Sequence, residues 1–258
     1  MKFDTIAYEL ADDVAVIRMN RPDVMNALNS QMRAELLVAV EEGARTARVI
    51  VLTGSGRAFC AGQDLGDRAN AAEVDLTQTL EEEYEPLLRA IYAAPVPVIS
   101  AVNGAAAGAG ANIALAADVV IASESASFLQ AFARIGLIPD AGGSYWLPRN
   151  MGFARAMGAA LFAEKIPARQ AADWGMIWEC VADGVFEEHW RARAAHLAKG
   201  PTAGFAKIKQ ALRASFGNSL DEQLALEARL QGEAGRSRDF REGVTAFLEK
   251  RLASFEGR

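Results

Sequence analysis

AIYAAPVPVISAVNGAAAGAGANIALAA, residues Ala90 to Ala117, carries no charged side chain. A membrane-spanning helix needs about 20 continuous apolar residues, but Pro95, Pro97, Asn103, Gly104, Gly108 and Gly110 interrupt the run. Proline removes a backbone donor and glycine lets the chain turn sharply, so the stretch reads as a buried strand over Val96 to Val102, a tight turn and a buried helix from near Gly108. A strand that is apolar throughout is buried on both faces, which calls for helices around it and places the chain in the α/β class.

The flanking sequence agrees. Val14 to Met19, Val49 to Leu52 and Val119 to Ala122 are further short β-branched runs bounded by turn signals. Between them, Ser30 to Ala44 and Val74 to Tyr92 show helical spacing, with Ser30 as a candidate N-cap. After Gly152 one more strand reads over Met176 to Val181, and helices follow at Val185 to Ala198, Thr202 to Ala214, Leu220 to Glu233 and Arg238 to Leu252. The expected division is an α/β core over residues 1–200 and a helical region over 201–258. The acidic EEEYE of Glu81 to Glu85 reads as a solvated helix face.

A net charge of −6 argues against a nucleic-acid partner, which needs a concentrated basic face. Two cysteines, Cys60 and Cys180, allow at most one bridge and have no zinc-site spacing, and MKFDTIAYEL lacks the apolar core of a signal peptide. The expectation is a reduced, cytoplasmic protein with no membrane partner.

Familiar catalytic motifs are missing: the chain has no G-x-x-x-x-G-K-[ST] loop, G-x-S-x-G elbow, H-E-x-x-H or Cys-x-x-Cys. His189 and His196 fall on a predicted C-terminal helix, and Cys60 has no activating signature beside it, so carboxylates are left for acid–base work. Two Gly-rich turns each follow an apolar strand, GSGRAFCAGQDL (Gly54 to Leu65) and NGAAAGAGAN (Asn103 to Asn112). Ligands in α/β sheets settle at the carboxyl ends of strands, so both turns point to one site, where two backbone N–H groups would form an oxyanion hole. The same small residues also serve close packing, and spacing alone leaves both readings open.

RAFCAGQDL, AVNGAAAGAGANIALAAD, IGLIPDAGGS and REGVTAFLEKR resemble, in order and spacing, the enoyl-CoA hydratase/isomerase (crotonase) family over essentially the whole chain. FCAGQDLGDR, GLIPDAGG, RAMG, WGMIW and GRSRDFREGVTAFLEKR are most similar to its branch that isomerises ring-1,2-epoxyphenylacetyl-CoA to an oxepin in phenylacetate degradation. The resemblance implies a spiral of ββα units with a C-terminal helical oligomerisation region, homotrimers or hexamers, and an acyl-CoA thioester as substrate. Coenzyme A would be part of the substrate, with no separate cofactor and no metal.

Carried over by position, the backbone N–H groups of Gln63 and Ala109 would form the oxyanion hole, with alanine at 109 where the family usually has glycine. Ala27, Ala61, Asp64 and Leu65 match segments lining the adenine and pantetheine path, and Phe247 and Lys250 match a pair that reaches a coenzyme A bound mainly by another subunit. The family's hydratases place glutamates where this chain has Asn112 and Phe132. Asp140 matches the position of a functional aspartate in other branches, whereas the histidine that dehalogenases need has no counterpart. Gln130, Phe132 and Tyr145 are the expected acyl-pocket side chains, and Asn112 is expected to bind substrate with them.

Asp140 therefore has two readings. In Pro139-Asp140-Ala141-Gly142-Gly143 it is a plausible helix N-cap, and the chain pattern alone favours that. The resemblance favours a catalytic base that moves a proton along an acyl group. A hydratase with a different base and a non-catalytic coenzyme A-binding module are the competing functions.

Overall fold

A computed structural model of the chain describes residues 2–66 and 75–257. The expected helix start at Val74 and the Asp67-Arg68 end of the FCAGQDLGDR motif lie outside the described residues.

Three strand pairs follow one another along the chain. They are β3 (Val49–Gly54) with β4 (Ala58–Cys60), β5 (Val98–Val102) with β6 (Ala105–Ala107), and β7 (Val119–Ser123) with β8 (Ser127–Leu129). The first strand of each pair enters a six-stranded sheet, and the second enters a four-stranded one. The larger sheet is completed by β1 (Ile6–Ala11), β2 (Val14–Met19) and β10 (Glu179–Val181), in the order β1-β2-β3-β5-β7-β10. It is parallel except for the β1–β2 hairpin. In the smaller sheet, β4-β6-β8 are parallel and β9 (Ile166–Pro167) closes the edge antiparallel.

Helices fill the intervals. They are α1 (Ser30–Thr46), α2 (Leu76–Thr79), α3 (Glu85–Ala93), α4 (Ala109–Leu115), α5 (Gly143–Met151), α6 (Phe153–Phe162), α7 (Ala168–Asp173) and α8 (Phe186–Ala198). A π-helical turn, Leu80–Tyr84, joins α2 to α3. Last come α9 (Thr202–Ala214), α10 (Leu220–Ala234) and α11 (Arg238–Glu249). Of these, α9 is pinned to the sheet body by ion pairs of Lys209 and Arg213 with Asp118, and Arg48 donates to Gly200 and Thr202 at the start of α9 and to Phe255 beyond α11.

The unbroken apolar strands have the expected cause. Val49 and Val51 pack with Ile99, Ala101 and Ile121 against Phe186, Trp190 and Ala194 of α8. The alternate residues Ile50 and Leu52 face α1, α3, α4 and the smaller sheet. No helix among the described residues is long and apolar enough to cross a membrane. The charge-free run is instead β5, β6 and an α4 whose seven residues are all buried.

Two local expectations change. Asn29, not Ser30, caps α1, its side chain accepting from Met32 N at 2.8 Å. The EEEYE segment is not simply a solvated face: Glu83 pairs with the buried Arg33, and Tyr84 is 2% exposed.

Gly110 shows how tightly the smaller sheet meets α4, since a Cβ there would stand 2.5 Å from the Cys60 carbonyl oxygen. A Cβ on Gly158, inside α6, meets nothing within 4 Å. Gly110→Ala is therefore expected to lower stability by about 1–3 kcal/mol through overpacking. Gly158→Ala should raise it by about 0.5–1 kcal/mol. Paired thermal melts check both.

Candidate active site

The first Gly-rich turn begins as β4 and runs on to Gln63, which forms a parallel bridge with Leu28. Leu28 N donates to Gly62 O at 2.8 Å, and Asp64 N donates to Leu28 O at 3.0 Å. In a parallel pair, the residue between two such bonds turns its own N–H to the opposite side. The Gln63 N–H therefore faces away from Leu28, toward the second turn.

That second turn contains β6 and, just after it, Gly108, whose N–H is taken by Leu129 O at 2.8 Å. Ala109 is the first residue of α4, where backbone N–H groups have no partner within the helix. The two turns touch at Gly62, with φ +93°, where a Cβ would lie 3.6 Å from Ala109 N. Neither Gln63 N–H nor Ala109 N–H has an acceptor among the described residues. Two adjacent free peptide donors can polarise one carbonyl oxygen.

Asp140 is tied to this arrangement through its main chain. Its carbonyl oxygen accepts from Asn112 Nδ2 and from Gly143 N, each at 2.8 Å. Asn112 is fully buried on α4, three residues past Ala109, and its Oδ1 accepts from buried Gln130 at 2.8 Å. The amide at one of the family's glutamate positions thus braces the segment that carries Asp140. The carboxylate itself is half-buried, and its Oδ1 is shielded from solvent without a hydrogen-bond partner. Burial pushes its pKa up to about 6, only partly offset by a bond from its own N–H.

The N-cap reading of Asp140 does not hold. Gly142 occupies that position on α5, with no side-chain cap. Asp140 instead lines a cavity of about 360 Å³ walled by Leu76, Leu80, Leu137 and Ile138, with Glu81 and Glu85 also on its lining.

Several other expected residues gather around Gln63. Arg21 links the Ala27 and Asp64 segments, donating to Ala27 O at 2.6 Å and to the Asp64 carboxylate at 2.8 Å, which lowers the Asp64 pKa. Ala61 N donates to Met25 O, and Leu65 stands 63% exposed beside them. Phe132 is buried, its ring edge 3.7 Å from the point a Cβ on Gly108 would occupy.

Tyr145 lies elsewhere: its ring meets Trp146 and Tyr92 edge-on, stacks under Arg149 and lines a different cavity, of about 690 Å³, from the one that Asp140 lines. Phe247 is 80% exposed on α11, and the Lys250 side chain makes no ion pair among the described residues. Within one chain neither is brought to Gln63. Cys60 is buried with its thiol pushed up to about 12, which does not suit a nucleophile. His189 is held by Glu179 at 2.8 Å, on another part of the surface.

Sequence reading missed Arg33 and Tyr84, whose side chains both reach the Gln63 carboxamide. A signal existed in the spacing. Arg33, Leu36 and Val40 share one buried stripe of α1, and Tyr84 precedes Leu87 and Ile91 at the same spacing.

The enoyl-CoA hydratase/isomerase family profile matches residues 9–258, and the chain belongs to that family. A Rhodobacter capsulatus protein named probable enoyl-CoA hydratase is 66% identical over 100% of both chains. The 1,2-epoxyphenylacetyl-CoA isomerase of Escherichia coli is 48% identical over 95% of each. Among solved structures, the enoyl-CoA hydratase of Bacillus anthracis has a TM-score of 0.92 at 32% identity, covering 99% of this chain and 100% of that one. The expected crotonase fold is therefore the fold of this protein, and the three strand pairs are its repeating units.

The raised Asp140 pKa has a consequence for stability. The folded state holds this proton more tightly than the unfolded chain, so stability is greatest below about pH 4 as far as this group is concerned, and falls as pH rises toward 6. Above pH 6 the buried charge costs on the order of 3 kcal/mol at most. Asp140→Asn is expected to raise stability at pH 8 relative to wild type and to lose that advantage near pH 4. Urea melts at the two pH values check this, and a cap role would give the opposite sign.

Proposed function

We propose that this protein is an acyl-CoA isomerase that converts ring-1,2-epoxyphenylacetyl-CoA to oxepin-CoA and/or shifts the double bond of enoyl-CoA thioesters. The observation that carries the reading is the Asp140 carboxylate. It is half-buried, its Oδ1 has no hydrogen-bond partner among the described residues, its pKa is raised to about 6 and its residue lines a cavity, while the family's two glutamate positions hold Asn112 and Phe132. The E. coli relative named 1,2-epoxyphenylacetyl-CoA isomerase supports the substrate class.

In this mechanism the thioester carbonyl accepts from Gln63 N–H and Ala109 N–H, which stabilise the negative charge that develops on its oxygen. Asp140 takes a proton from the acyl carbon and returns it elsewhere along the conjugated system. For the ring epoxide, the same stabilised carbonyl would assist rearrangement to the seven-membered ring. The proton transfer calls on no metal or redox group. Ala27, Ala61, Asp64 and Leu65 would line the path of coenzyme A. Phe247 and Lys250 would reach the coenzyme A of a neighbouring subunit in a trimer or hexamer, in keeping with the exposure of Phe247.

The name of the R. capsulatus relative favours a second reading, hydration of an enoyl-CoA. Water addition in this family relies on two glutamates, and the chain has neither. Asn112 is already committed to Gln130 and to the Asp140 carbonyl.

A panel of ring-epoxide, 3-enoyl and 2-enoyl CoA thioesters separates the readings. Isomerisation of the first two with no loss of crotonyl-CoA absorbance is the expected result, and steady hydration of crotonyl-CoA would sink the proposal. Asp140→Asn should cut turnover by about 10²- to 10⁴-fold while retaining acyl-CoA binding. Wild-type kcat/KM should rise with pH through about 6, as the Asp140 carboxyl ionises. A flat profile from pH 5 to 8 would contradict the role of Asp140 as base.

A further inference from the structure

Gln63 contributes more than a peptide N–H. Its side-chain Oε1 accepts from the Tyr84 hydroxyl at 2.5 Å and from Arg33 Nη1 at 3.1 Å. Tyr84 is 2% exposed and Arg33 is 0% exposed, so both donors act from inside the protein. A guanidinium donates and never accepts, which fixes the carboxamide with its oxygen inward and its NH₂ group turned away from Arg33.

Both donors are themselves held. Arg33 Nη1 also donates to Leu28 O at 2.7 Å, on the residue that bridges to Gln63, and Arg33 Nε donates to Glu83 at 2.9 Å. Its guanidinium lies 5.0 Å from the centre of the Tyr84 ring. Tyr84 ends the π-helical turn Leu80–Tyr84, and such turns place side chains out of step with an ordinary helix. The same stretch supplies Leu80 and Glu81 to the wall of the Asp140 cavity. One cluster therefore joins α1, the 80–84 turn and the Leu28–Gln63 bridge.

We propose that Tyr84 and Arg33 are positioning residues for the oxyanion donor, converging on the Gln63 carboxamide oxygen to hold the peptide that carries the Gln63 N–H. The proposal rests on the oxyanion-hole reading above and extends it. Peptide donors in such sites work by being fixed before the charge develops. A Gln63 side chain that lost its anchor would let that peptide rock, so the N–H would meet the carbonyl oxygen at longer and more varied distances. Binding would change little, since Arg21 fixes the neighbouring Ala27 and Asp64 segments independently of Tyr84, and the loss would fall on turnover.

The test uses phenylacetyl-CoA carrying ¹³C at the thioester carbonyl, a probe with neither epoxide nor double bond to react. Isotope-edited infrared spectra of the bound probe report the hydrogen bonds to that carbonyl directly. In the wild type its stretch should shift to lower frequency than in solution. Tyr84→Phe keeps the ring and removes only the hydroxyl; Gln63→Ala removes the acceptor; both should move the band back toward its solution value, with phenylacetyl-CoA affinity little changed. Gln63→Glu keeps an oxygen for both donors and should retain the shift. On a turned-over substrate, Tyr84→Phe should lower kcat on the order of tenfold with KM nearly constant.

A full wild-type shift in both Tyr84→Phe and Gln63→Ala overturns the positioning role. A wild-type enzyme that binds the probe with no shift at all would instead count against the oxyanion hole itself, so the two failures are distinguishable. Arg33 is left intact because its removal would also break its hydrogen bonds to Glu83 and to Leu28 O, and so would not isolate the contact with Gln63.

Discussion

Two peptide N–H groups depend on one backbone pairing, the parallel bridge between Leu28 and Gln63. With Leu28 bonded to Gly62 and Asp64, the Gln63 N–H has to face the other way, where α4 begins at Ala109. The meeting is possible because both Gly-rich turns start as strands of the same small sheet, β4 beside β6. Glycine at 62 and 110 then removes the side chains that would keep the turns apart. The larger sheet, its helices and the twofold burial of its strands serve to bring those two short strands into register.

The acid is placed by a different logic. Asp140 is held by its carbonyl group through Asn112 and Gly143, which leaves the carboxylate Oδ1 without a hydrogen-bond partner among the described residues. An unpaired carboxylate in a partly dry setting is costly when charged, and that cost is what moves its pKa toward 6. A salt bridge in the same place would have stabilised the fold and spoiled the base. The contrast with Asp64 is instructive, since that carboxylate sits on Arg21 with its pKa lowered and links two loops.

Much of the fold was legible because burial on both faces of a parallel sheet leaves continuous apolar runs. Val14 to Met19 and the Val49 and Val119 strands stand where the pattern put them, as do the C-terminal helices from Thr202. The smaller sheet was not legible. Its strands AFC, AAA, SFL and IP are too short to show alternation, and two of them lie inside runs that read as turns. At the site, Gln63, Ala109 and Asp140 came from motif resemblance. Arg33 and Tyr84 escaped because one charge on an apolar helix stripe, and one tyrosine inside an acidic run, resemble surface residues until their partners are known.

The sequence by itself determined the α/β class, the family, the two Gly-rich turns and the lack of glutamates at 112 and 132, since these depend on residue identity and local order. Only the tertiary structure decided that Asp140 is not a helix cap, that Tyr145 opens on another cavity, and that Gln63 is gripped by two buried donors from α1 and the 80–84 turn. Those are contacts between segments far apart in the chain. Their geometry is set by how strands pair and helices pack, and no single stretch of sequence encodes it.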